Sequence, residues 1–213
     1  MVREILEAFA DEEVRHICVM CSSQSAKTLT IMVALAYIIA EDPGPILWVT
    51  ANNKEAVKLA RARLRPFMDR IVPVAERFPK ERGGKNLLEI YFPGAPFVIT
   101  GAESEAALQS TPYRYLFLDE VRAYPPGALE MALNRTRSFS HNYKVVTIST
   151  PEDEQDHMHQ CYLDGDQRQW FVKCMRGVVG TDFGGQKSEV GGQHDEGGGQ
   201  RTEDRGPESS GRT

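Results

Sequence analysis

Short runs of β-branched and aromatic residues alternate with stretches of helical periodicity along most of the chain. "HICVM" (16–20) predicts a buried strand, and residues 27–40, aliphatic on most faces, predict a helix. "PILWVT" (45–50) predicts a second strand, followed by a basic helix over 53–69. "LLEIYF" (87–92) and "FVITGA" (97–102) flank "PGAP", the pattern of a hairpin closed by a Pro-Gly turn. A short helix over 103–109 leads into the strand "YRYLFLD" (113–119), and a helix over 126–135 precedes the strand "YKVVTIST" (143–150). A helix over 154–163 and a last strand, "RQWFVKC" (168–174), complete the pattern. Strands that alternate with helices predict an α/β fold with a mainly parallel sheet covered by helices on both faces. No internal repeat is present.

The periodicity stops near Cys174. Residues 176–213 hold 11 of the chain's 18 glycines, and only Val178, Val179, Phe183 and Val190 there are clearly apolar. Such a segment cannot bury enough surface to offset its ordering entropy, so residues 175–213 are expected to be a disordered tail on a folded 1–174 domain.

Composition narrows the class. A chain of 213 residues, 41% hydrophobic and 26% charged, suits one soluble domain with a real core. No apolar run reaches the roughly 18 residues of a membrane span, and the N-terminal "MVREILEAFADEEVR" is amphipathic and acidic, unlike a secretory signal. Cys18, Cys21, Cys161 and Cys174 show no disulfide-framework spacing, which points to reduced thiols in a cytoplasm. A net charge of −5 argues against nucleic-acid affinity over the whole surface. A local strip stays open: Lys54, Lys58, Arg61, Arg63 and Arg65 fall in one predicted helix, where they also suit a plain solvated face.

The candidate chemistry begins at "CSSQSAKTLT" (21–30), which ends a strand and opens a helix. Lys27-Thr28 at that first turn would place a cation on the β- and γ-phosphates of a nucleotide and a hydroxyl on magnesium. The phosphate-loop pattern G-x-x-x-x-G-K-[ST] is met with Cys21 and Ala26 in place of both glycines, so an ordinary strand-to-helix turn is the competing reading. The strand ending in Asp119-Glu120 shifts the balance. Two adjacent acids at the tip of a buried strand are costly unless they serve something there. In a phosphate-loop ATPase the first holds magnesium and the second polarises the attacking water. "VVTISTP" then ends a neighbouring strand in Ser149-Thr150-Pro151, small hydroxyls that suit contact with a γ-phosphate. Arg135 and Arg137, in "NRTRSF", are candidate arginine fingers or plain helix-end cations. His157, His159 and Cys161 on one helix, with Cys174 beyond, diverge too much for a zinc site.

Taken together, "CSSQSAKTLT", "ILWVTANNKEAVKLARARLRPFM", "GAESEAALQSTPYRYLFLDEVRAYP" and "RTRSFSHNYKVVTISTPEDE" resemble, in order, the ATPase domain of the large terminase subunit of tailed bacteriophages, in its lambda-like branch. The resemblance covers about residues 1–174. It implies an ASCE-type phosphate-loop ATPase that hydrolyses ATP with Mg2+ and drives double-stranded DNA into a procapsid. It implies partners too: a small terminase subunit, the portal, and further copies of the chain, in the host cytoplasm. Ser23, Gln24, Ser25, Ala26, Lys27 and Thr28 would form the phosphate loop, with Thr28 and Asp119 on the metal. Lys27 and Glu120 would be catalytic, and Ser149 and Thr150 would couple hydrolysis to DNA movement. Such proteins carry an adenine-recognising segment before the first strand and a nuclease after the ATPase domain. This chain is therefore expected to be truncated at both ends, with the nuclease absent. A catalytically inactive remnant that binds nucleotide or partner subunits weakly is the alternative. A superfamily-two helicase would need a second RecA-like domain, for which the chain has no room.

Overall fold

In the computed structural model, which describes residues 2–22, 24–79, 86–151, 156–169 and 171, the apolar runs form one six-stranded sheet. The strands are β1 (His16–Met20), β2 (Ile46–Thr50), β3 (Glu89–Phe92), β4 (Ala95–Gly101), β5 (Tyr115–Asp119) and β6 (Lys144–Ser149). Their order is β1-β6-β5-β2-β4-β3, parallel throughout except for the β3–β4 hairpin. In that hairpin Phe92 faces Ala95, and Gly94 takes a φ of 74°, the left-handed value that a Pro-Gly turn demands of its third residue.

Every residue of β2, β5 and β6 is buried, as a parallel strand covered on both faces must be. Alternation then divides the core in two. Ile46, Trp48, Tyr115 and Phe117 point to one face, where they meet Ile31, Leu35 and Ile38 of α2 (Lys27–Ala40) and Phe9 of α1 (Val2–Ala10). Leu47, Val49, Leu116 and Leu118 point to the other. There they meet Leu108 of α6 (Glu105–Ser110), Ala132 of α7 (Ala128–Leu133) and Met158 of α8 (His157–Leu163). Residues 1–170 form one compact unit; of the second, 171–213, only Phe171 is described. The expected strand 168–174 and the tail thus lie largely outside the described residues. No helix among them is long and apolar enough to cross a membrane.

The basic helix expected over 53–69 is present but not uniform. It runs as α3 (Asn53–Leu59), a π-helical turn (Ala60–Leu64) and α4 (Arg65–Met68). The amide of Arg65 bonds back to the carbonyl of Ala60, the i→i+5 pattern. A short helix missed in the sequence, α5 (Val72–Ala75), follows, with its proline in the first turn where the missing N–H costs nothing. Other bounds move by a few residues, most visibly in two helices. The helix expected over 126–135 is α7 followed by a 3-10 stretch, Asn134–Phe139, and α8 starts at His157, within the expected 154–163.

At the amino ends of the strands, Arg114 grips Asp42 with two bonds of 2.7 and 2.8 Å, and the Tyr115 hydroxyl donates to the same carboxylate at 2.6 Å. Burial pushes the Asp42 carboxyl up, but the bonds from Arg114 and Tyr115 outweigh it and hold it below its ordinary value. A depressed carboxyl stabilises the fold above its unfolded value, and that contribution is lost as pH falls through the folded value. Asp42→Asn should therefore lower stability at neutral pH by about 1 kcal/mol, a figure kept small because the Asp42 side chain is 43% exposed. The gap between variant and parent should close below pH 3.8 in chemical denaturation series; a gap independent of pH would refute the assignment.

Candidate functional site

Because β6 lies between β1 and β5, their carboxyl ends bring three separate segments together. These are the loop into α2, the acids after β5 and the hydroxyls after β6. In a parallel sheet the carboxyl ends of the strands are where ligands bind.

The loop is fastened at its base. The Cys21 amide donates to the Ser149 carbonyl (3.2 Å), and the Ser25 hydroxyl donates to the Ser22 carbonyl (2.7 Å). Gln24 and Ala26 both adopt left-handed backbone, with φ of 61° and 63°. Ser23 lies outside the described residues. Ala26 is the N-cap of α2 and supplies no side-chain cap, so the first-turn amides of α2 are not satisfied by a capping side chain. A β-carbon disfavours the left-handed region by roughly 1–2 kcal/mol. That is the physical reason for glycine at this place in the usual pattern. Ala26→Gly should therefore leave stability equal or up to about 1 kcal/mol higher, since relieved strain offsets glycine's entropy cost. It should also tighten nucleotide binding several-fold; an unchanged dissociation constant in calorimetry would show that Ala26 already holds a competent loop.

Lys27, only 9% exposed, is the first residue of α2. Its Nζ donates to Thr150 Oγ1 at 2.8 Å and stands 3.5 Å from Glu120 Oε1. One ammonium thus links the tips of all three strands. Asp119 is 8% exposed, and burial, reinforced by the neighbouring Glu120 charge, pushes its carboxyl up to about 6 against the opposing pull of Lys27. Glu120 is left-handed (φ 58°, ψ 46°) while its amide still donates to the Ile148 carbonyl at 2.9 Å. The chain therefore leaves the sheet abruptly and lifts this side chain to 43% exposure. Strain of this kind costs about 1–3 kcal/mol and clusters at functional sites. The segment beyond is tied down by Tyr124, whose hydroxyl donates to the Val49 carbonyl (2.8 Å), and by the Arg122 amide on Ser149 Oγ (3.4 Å).

A cavity of about 250 Å³ opens beside these groups. Thr28, Asp119 and Glu120 form one side; Glu55, Lys58 and Arg63 form the other. The second side was not identified in the sequence. The signal was there: positions 55, 58, 59, 62 and 63 recur on one helical face. Another hollow, about 310 Å³ and lined by Leu64, Met68 and Ile90 among others, shares no residue with the strand tips. Arg135 and Arg137 do not line the cavity. Arg135 donates to the Gln109 carbonyl at 2.8 Å, and Arg137 is exposed. Among the described residues no cluster of three or more His, Cys, Asp or Glu is arranged to hold a metal by protein ligands alone.

A family model for the phage terminase large subunit gpA, ATPase domain, matches residues 1–177. Two similar solved structures are of the Thermus phage P74-26 large terminase ATPase domain. One, a point mutant, is 19% identical with a TM-score of 0.54, over 75% of this chain and 67% of that one. The other is 15% identical with a TM-score of 0.52, over 77% and 68%. No curated protein sequence matches significantly.

Proposed function

The chain belongs to the phage terminase large subunit gpA ATPase-domain family, and on that premise we propose that it hydrolyses ATP at the strand-tip site and passes the energy to DNA translocation. The observation that carries this is the Lys27 bridge. Its ammonium is held by Thr150 and Glu120. A γ-phosphate is an ionised acceptor, stronger than the Thr150 hydroxyl, and carries more negative charge than the single Glu120 carboxylate. Its arrival would draw Lys27 away, free Glu120 to orient a water, and release the tip of β6. Ser149 and Thr150 would then report the γ-phosphate to the rest of the fold, which is the coupling role. The oxyanion charge developing on the phosphoryl group would be met by Lys27 and by the first-turn amides of α2.

The donor chemistry fits magnesium. A hydroxyl from Thr28 and a carboxylate from Asp119 face one cavity, and a carboxyl raised by burial is one that a divalent cation returns to its charged form. When bound, the ion would neutralise phosphate charge. Ser23 to Thr28 would wrap the phosphates, and Arg135 or Arg137 would serve a neighbouring copy. Double-stranded DNA, a small terminase subunit and a portal are the partners this reading implies, in the host cytoplasm.

Ala26, left-handed in spite of its β-carbon, favours a second reading in which the chain binds nucleotide without turnover. Phosphate release by the full chain, with and without double-stranded DNA, separates the two. Turnover that rises with DNA supports the motor; binding with no release under either condition supports the second reading.

A further inference from the structure

The basic helix lends two cations to the cavity lining, Lys58 and Arg63, both exposed to solvent. Lys58 has a partner on its own helix, Glu55, at 3.5 Å. Arg63 makes no hydrogen bond or ion pair among the described residues, although its charge is one of those opposing the burial that raises Asp119. It is carried by the π turn. The turn has a packing reason: Ala56, Ala60, Leu64 and Met68 are all buried at intervals of four. On a straight helix of 3.6 residues per turn such a row would drift by roughly 40° per step. The wider turn takes up that drift, and Arg63, one residue before the buried Leu64, stands on the cavity wall. Single π turns inside α-helices are frequent at functional sites.

We propose that Arg63 contacts the terminal phosphate of a bound nucleoside triphosphate, in cis, from the side opposite Lys27. The inference rests on the strand-tip site being a nucleotide site. Its chemistry is that of a guanidinium fork, always charged and matched to two phosphate oxygens. A triphosphate brought beside Asp119 and Glu120 adds negative charge to a wall that already carries two acids, and Arg63 supplies positive charge from across the cavity. A diphosphate ends short of the acids and leaves Arg63 untouched, so this residue distinguishes the two nucleotides.

The test is calorimetric titration of the full chain with Mg-ADP and with a non-hydrolysable Mg-ATP analogue, on the parent, Arg63→Ala and Arg63→Lys. Arg63→Ala should weaken the analogue roughly tenfold or more and ADP less than about twofold. Arg63→Lys should recover part of the loss, because the charge remains and the fork does not. Equal weakening of both ligands would mean that Arg63 only supports the helix, and no weakening of either would mean that it never meets the phosphate; either overturns the inference alone. A parent chain that binds neither nucleotide overturns the site assignment, and this inference with it.

Discussion

Glu120→Gln should reduce ATP hydrolysis by the full chain at least about a hundredfold while leaving nucleotide affinity equal or slightly higher. The substitution keeps the shape of a side chain lifted off the sheet by left-handed backbone, so the fold has no reason to change. It removes the charge that would orient and polarise water, an effect generally worth about 10²–10⁴ in rate. It also removes the carboxylate 3.5 Å from Lys27, freeing that ammonium for phosphate. Loss of rate with retained binding is thus the signature of a catalytic carboxylate. Single-turnover phosphate release beside calorimetric titration reads both quantities. Hydrolysis that survives the change would mean the carboxylate has been assigned to the wrong residue. A fall in affinity equal to the fall in rate would mean that Glu120 holds the site together instead.

Gly101→Ala should cost about 3 kcal/mol or more of stability, lowering the melting temperature by roughly 10 °C. An added β-carbon would lie 2.2 Å from the Asn53 amide nitrogen, 2.4 Å from the Asn52 carbonyl carbon and 2.4 Å from a Glu103 carboxylate oxygen. Glu103 could swing aside, but the other two contacts are backbone. That backbone is tightly held. Asn52 caps α3 through the Glu55 amide (3.0 Å), and Asn53 accepts from the Gly101 amide (2.9 Å) while donating to Ser104 (2.8 Å). Relief therefore requires α3 to move off the tip of β4, and α3 carries Glu55 and Lys58 of the cavity wall. Nucleotide affinity should fall along with stability, whereas Asp42→Asn should lower stability alone. A Gly101→Ala chain that melts with its parent would show that the tip of β4 yields without moving the helix.

These contacts mark where sequence reasoning reaches its limit. β1 and α2 were legible with their observed bounds, because a β-branched run and a long aliphatic helix admit few alternatives. The hairpin was legible from Pro93-Gly94. The acid pair was legible because two acids at the tip of a buried strand need a reason. Strand order was not, since nothing local states that β6 inserts between β1 and β5. Yet that insertion brings Thr150 to Lys27 across 123 residues. The π turn runs up to Pro66, whose missing amide is a visible break in helical bonding, but the buried row of four-residue spacing that the wider turn accommodates shows only in the packing. Arg63 therefore reads in the sequence as one cation of a strip, and only the structure puts it on the cavity wall. Ala26 reads in the sequence as a departure from the usual glycine, and the sequence did not tell that its backbone would still be left-handed, with a φ of 63°.

The position of β6 also sets an order of events in time. Among the described residues β1 pairs only with β6, while β2, β4, β3 and β5 neighbour one another. As the chain leaves the ribosome, the central strands find partners soon after they are made. β1, which precedes the other described strands, has no neighbour in the sheet until Lys144–Ser149 emerge. At roughly 5–20 residues per second, the interval from Met20 to Ser149 is several seconds or more. Throughout it the loop bearing Lys27 has no Thr150 hydroxyl to meet. The same late pairing that assembles the site keeps a half-made chain from completing it.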